Sequence, residues 1–108
     1  MEKTLTIDGR EVRFKATAAT MIRYKAEFGR EYIADMSAME RFAKAPDMES
    51  LDLTPFYRVV WVLAKTADPD IPDMMTWLDG FSEFPVVSIF ADLKELVALN
   101  MRVDRKNG

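Results

Sequence analysis

At 108 residues, with 49% apolar and 31% charged side chains and a net charge of −3, the chain has the makeup of one globular domain spanning 1–108, and wholesale disorder is excluded. It has no Cys, which excludes disulfides, thiolate metal sites and thiol catalysis. It has no His, which removes the commonest general base and metal ligand. No apolar run reaches the about 18 residues that a membrane-spanning helix needs, and the opening MEKTLTIDG lacks the apolar stretch of a signal peptide, so a cytoplasmic protein is expected.

The chain opens with KTLTIDGREVRFK, residues 3–15. Asp8-Gly9 between two alternating runs predicts a hairpin with a two-residue turn. That turn pairs Ile7 with Arg10, Leu5 with Val12 and Lys3 with Phe14. Leu5, Ile7, Val12 and Phe14 then share one face, as the turn and the pattern together require. A lone hairpin is marginal in water, so this face is expected to pack on helices.

The helical part is expected over about 18–101. After ATAAT, where Thr17 or Thr20 is a candidate cap, Met21, Tyr24 and Phe28 recur at helical spacing. Gly29 is the natural left-handed stop, and a second helix is expected to run from Tyr32 to about Lys44. A polar connector covers 45–53. Thr54-Pro55 marks the start of a third helix, with Thr54 as its cap. Its stripe of Phe56, Val59, Val60, Leu63 and Ala64 marks it as the centre of the core. The two prolines of DPDIPD end it. A short helix closed by Gly80 follows, then one long helix through SEFPVVSIFADLKELVALNMR. A polar tail occupies 102–108. The expected fold is α+β: an N-terminal hairpin followed by a bundle of four or five helices.

Charge is uneven along the chain. Residues 1–45 carry nine basic and seven acidic side chains, whereas residues 46–95 carry three basic and ten acidic. A nucleic-acid-binding domain normally shows a basic face. An acidic half suits a basic partner better. No glycine-rich phosphate loop and no nucleophile elbow is present. The one catalytic candidate is the acidic set Asp68, Asp70, Asp73, Asp79 and Glu83, which suggests a small metal-dependent enzyme as an alternative. Its spacing is not that of a calcium loop, and capping or charging of the next helix start explains Asp70 and Asp73. A nucleic-acid-binding regulator of a mobile element is a further alternative, weakened by the acidic balance.

Aromatic and Met residues point to an interaction protein. Seven Phe, three Tyr, two Trp and eight Met are many for a domain this small. Tyr24, Phe28, Tyr32, Trp61, Met74, Met75 and Trp77 are the candidate partner-binding residues, since these types are enriched in interfaces.

The run KTLTIDGREVRFKATAATMIRYKAEFGREYIADM resembles the opening of the tail assembly chaperones of long-tailed, siphovirus-type bacteriophages and prophages. Phe14, Lys15, Ala16, Thr17, Tyr24, Phe28, Gly29, Arg30 and Asp35 carry the resemblance, which covers about the first third of the chain. It implies a non-catalytic protein without cofactors. Such a protein binds the tape measure protein, keeps it soluble and helps tail tube protein assemble around it. It implies self-association into a homo-oligomer, residence in the cytoplasm of the bacterial host, and absence from the mature virion. It also implies two lengths made by ribosomal frameshifting, of which a chain ending RKNG suits the shorter.

Overall fold

The computed structural model describes residues 1–44 and 52–101. Most of the expected connector at 45–53, and the whole expected tail at 102–108, lie outside these residues.

β1 (Glu2–Ile7) and β2 (Arg10–Lys15) form an antiparallel hairpin in the expected register, with Ile7 opposite Arg10 and Leu5 opposite Val12. Asp8 and Gly9 take φ of 54° and 76°, the left-handed conformation that a two-residue turn of this kind requires. Ile7, Val12 and Phe14 are buried and Leu5 is half-buried, so one face of the sheet enters the core.

α1 (Thr20–Phe28) and α2 (Tyr32–Lys44) are separate helices. Gly29 divides them with φ 68° and ψ 20°, its N–H donating to the Lys25 carbonyl. At the start of α1 the threonines make a local turn instead of a cap. The Thr17 N–H donates to Thr20 Oγ1 and the Ala19 N–H to Thr17 Oγ1, while Ala19 at the N-cap position has no capping side chain.

α3 (Thr54–Ala67) lies at the centre. Val59, Val60, Leu63 and Ala64 are fully buried, and the helix packs along β2 and against α1, α2 and α5. Its capping differs from the expectation. Thr54 is already helical, and its N–H donates to Asp52 Oδ1 at 3.0 Å. That bond holds the Asp52 carboxyl below its ordinary range.

α4 (Met74–Asp79) is the expected short helix, and Asp73 caps it by accepting from the Thr76 N–H. The last helical stretch is not one long helix. α5 (Val86–Asp92), α6 (Lys94–Ala98) and a 3₁₀ turn (Leu99–Met101) follow one another, with Leu93 at the joint. Leu93 sits at φ −101° and ψ 10°, the bridge region, and its side chain is fully buried. The Asp92 carbonyl beside it accepts from Lys3 Nζ at 2.9 Å, so β1 supplies a partner at the break. The described residues thus hold six α-helices after the hairpin, an α+β fold.

Candidate functional site

Five of the nine residues that carry the resemblance, Tyr24, Phe28, Gly29, Arg30 and Asp35, meet at the corner between α1 and α2. Gly29 turns the chain, which brings Arg30 back over the first turn of α2. Arg30 Nε and Nη2 donate to Asp35 at 2.9 and 2.7 Å, a two-pronged pair. Tyr24 Oη, from α1, donates to Asp35 Oδ2. Arg58, from α3, stands 3.4 Å from the same oxygen. Asp35 is only 2% exposed, yet its carboxylate is surrounded by donors. The Arg30 hydrogen bonds hold its carboxyl below the ordinary range, outweighing the opposing effect of burial. Burial first, and the Asp35 carboxylate second, push the Tyr24 phenol well up. Chemically this corner is a structural lock: the Asp35 carboxylate is saturated with donors, and the phenol stays protonated.

The candidate partner-binding residues divide. Tyr24, Tyr32 and Trp61 lie inside the core, at 0%, 2% and 4% exposure. Each buries its ring and gives its polar tip an internal acceptor. Tyr32 Oη donates to the Val97 carbonyl at 2.8 Å, and Trp61 Nε1 to the Pro72 carbonyl at 2.9 Å. Half-buried Phe28 packs edge-on against both Tyr24 and Trp61. These four residues are framework: they fix α1, α2 and α3 against one another.

Trp77 is half-buried in a second aromatic group, edge-on to Phe81 and Phe84. Tyr57 stacks on Phe84, and the Arg10 guanidinium lies 3.9 Å over the Phe81 ring. Met74 is half-buried. Of the seven residues, Met75 alone stands out into solvent, at 64% exposure.

The acidic set is dispersed, and two of its members are held in local bonds. Asp68 Oδ1 accepts from the Asp70 N–H, and Asp73 accepts from both the Thr76 N–H and its hydroxyl. Those Thr76 bonds hold the Asp73 carboxyl low. Among the described residues no three carboxylates approach closely enough to hold a metal ion.

A concave feature lies elsewhere. A groove of about 560 Å³ runs between α2, α5 and α6. Met36 and Met39 form one wall, Phe56 the floor, and Val87, Phe90, Val97 and Met101 the other wall. Phe56 and Phe90 meet edge-on at 4.8 Å between ring centres. Ala91 and Ala98 keep the second wall low, and Glu40 and Lys94 bring one charge of each sign. Val87 is 47% exposed. This arrangement suits an apolar helix with a charged flank, the helix-in-groove mode of recognition. Methionine walls adapt to more than one sequence.

Sequence reasoning did not find this groove. Met36 and Met39 lie on α2, Phe56 on α3 and Phe90 on α5, and their meeting depends on the packing of segments up to about 50 residues apart. The signal available was the surplus of methionine. Comparison of the chain with protein-family models, with curated proteins and with solved structures finds no match.

Proposed function

We propose that this chain is a non-catalytic tail assembly chaperone of the long-tailed phage type, which binds helical segments of a tape measure protein in the groove between α2, α5 and α6. The observation that carries the reading is the groove itself: open, methionine-walled and apolar, with room for several aliphatic side chains of one helix. The sequence resemblance at the α1–α2 corner supports the choice of partner. A tape measure protein presents long apolar helices that need cover until tail tube protein encloses them. A small domain that shields one helical stretch at a time meets that need, and copies along the helix would act together by effective concentration. The reading places the protein in the host cytoplasm during assembly and outside the finished particle.

Co-expression with the tape measure protein from the same gene neighbourhood tests this. The expected result is a soluble partner that co-elutes with this chain in size-exclusion chromatography with light scattering. A partner that stays insoluble, beside a well-folded copy of this chain, would sink the proposal.

A further inference from the structure

We propose that the outer edge of β1, with the acidic slot beside it, is a second docking site, for an extended segment of a partner protein that carries Lys or Arg at alternate positions. The argument begins with hydrogen-bond parity. In a two-residue hairpin the pair flanking the turn exchanges backbone bonds, and the exchange recurs at every second pair. Ile7 and Arg10 flank the turn, so Leu5–Val12 and Lys3–Phe14 are exchanging pairs as well. Met1 and Ala16 extend the series, with backbone bonds of 2.9 and 3.3 Å. The N–H and C=O groups of Glu2, Thr4 and Thr6 therefore point away from β2.

Among the described residues no third strand takes them up, because the sheet has two strands. The two edges are treated differently. α3 packs along β2, and Arg13 reaches from β2 to the Ala67 carbonyl at 3.1 Å. Among the described residues no helix packs along β1 as α3 does along β2, and Glu2, Thr4 and Thr6, like Glu11, Arg13 and Lys15 on β2, are exposed. Natural sheets protect such edges with proline, bulges or inward charges. β1 carries one such device, the inward-side Lys3, and none from Thr4 to Ile7.

Beside this edge lies a slot of about 400 Å³, between β1 and α5. A strand added to β1 would direct alternate side chains into it. Its floor includes Leu5, Pro85 and Ile89, and its charged side chains, Asp8, Glu83 and Asp92, are all acidic. Asp8 already accepts from the Ser82 N–H at 2.8 Å, which ties the turn of the hairpin to the segment before α5. Lys3 stands at the margin with its amine on the Asp92 carbonyl. The acids do not form a chelating group. They line the slot without clustering, which fits separate long basic side chains rather than a metal ion. Backbone pairing supplies the affinity and the carboxylates select for positive charge.

The test is amide NMR of the whole chain, titrated with acetyl-Thr-Lys-Val-Lys-Thr-amide. Its counterpart with both Lys replaced by Glu, and a version N-methylated on alternate amides, serve as comparisons. The expected result is saturable movement of the Thr4 and Thr6 amides, with the Glu peptide at least about tenfold weaker. The N-methylated peptide should not bind. Glu83→Lys, on an exposed side chain, should weaken the Lys peptide about fivefold. Thr6→Pro, which removes an outward N–H and no ladder bond, should abolish binding. If that variant unfolds, the Glu83→Lys result still decides. Equal binding of Lys and Glu peptides, or silence at Thr4 and Thr6, would overturn the proposal. So would movement of those amides that depends only on protein concentration, which would mark the edge as a contact between copies.

Discussion

The α1–α2 corner and the α2–α5–α6 groove share a helix and follow opposite rules. At the corner a buried carboxylate is met by Arg30, Arg58 and Tyr24. In the groove, apolar side chains line open space, and exposed Val87 meets water. One face of α2 is thus closed by polar bonds, while on another Met36 and Met39, themselves 5% and 4% exposed, back a groove whose exposed wall is on α5. The difference separates what holds the fold from what is free to bind. Removing a group from the corner leaves a buried charge or donor without its partner, which is costly. Changing an exposed residue of the groove costs the fold little, because that residue has little packing to lose.

The largest effect is expected at the corner. Asp35→Ala strands the Tyr24 hydroxyl and Arg58 and should destabilise the chain by about 3 kcal/mol. Urea unfolding monitored by Trp fluorescence measures this directly. The same carboxylate sets an acid response. Its folded pKa lies below the unfolded value of 3.8, so its contribution is fully present above that pH and is lost as pH falls through the folded pKa. Wild type should therefore lose stability relative to Asp35→Asn on going below about pH 3.8, seen as convergence of their unfolding midpoints.

Tyr24→Phe comes next. It removes one donor from Asp35 and leaves the paired Arg30 bonds, so a loss of about 1–1.5 kcal/mol is expected. Gly29→Ala should cost about 1 kcal/mol. An added Cβ meets nothing within 4 Å, so this cost comes from φ 68° alone. Circular dichroism melts resolve both. The smallest change in stability is expected in the groove. Val87→Asp should shift stability by less than about 0.5 kcal/mol, since a carboxylate in the first turn of α5 is well placed against the helix dipole. Partner binding should nevertheless fall, because the charge enters the apolar wall.

These contrasts also explain what could be read in advance. The hairpin was legible to the residue because Asp8-Gly9 and the period of two specify one register together. Gly29 and Asp73 were legible as punctuation, since each has a local reason to stand where it does. The break at Leu93 was not, because the apolar spacing of Ile89, Phe90, Leu93, Leu96 and Val97 continues across it. The helix is interrupted there at a bridge-region residue, with a carbonyl beside it taken by Lys3 from the other end of the chain. The candidate interface was half legible. Residue type marked Tyr24, Tyr32 and Trp61 as able to face a partner, but each has an acceptor waiting inside the fold. Sequence shows the polar tip and not the acceptor. The methionine surplus pointed to an adaptable surface, yet α2 and α5–α6 had to be packed together before its place was visible.

The measurement that tests the account most directly is methionine-methyl NMR of the folded chain, titrated with an apolar helical fragment of the tape measure protein. The account predicts that Met36, Met39 and Met101, which line the groove, move and saturate together, while Met21, Met74 and Met75 stay in place. Movement centred on Met74 and Met75, or no movement at any methyl with a fragment that remains helical and soluble, would contradict it.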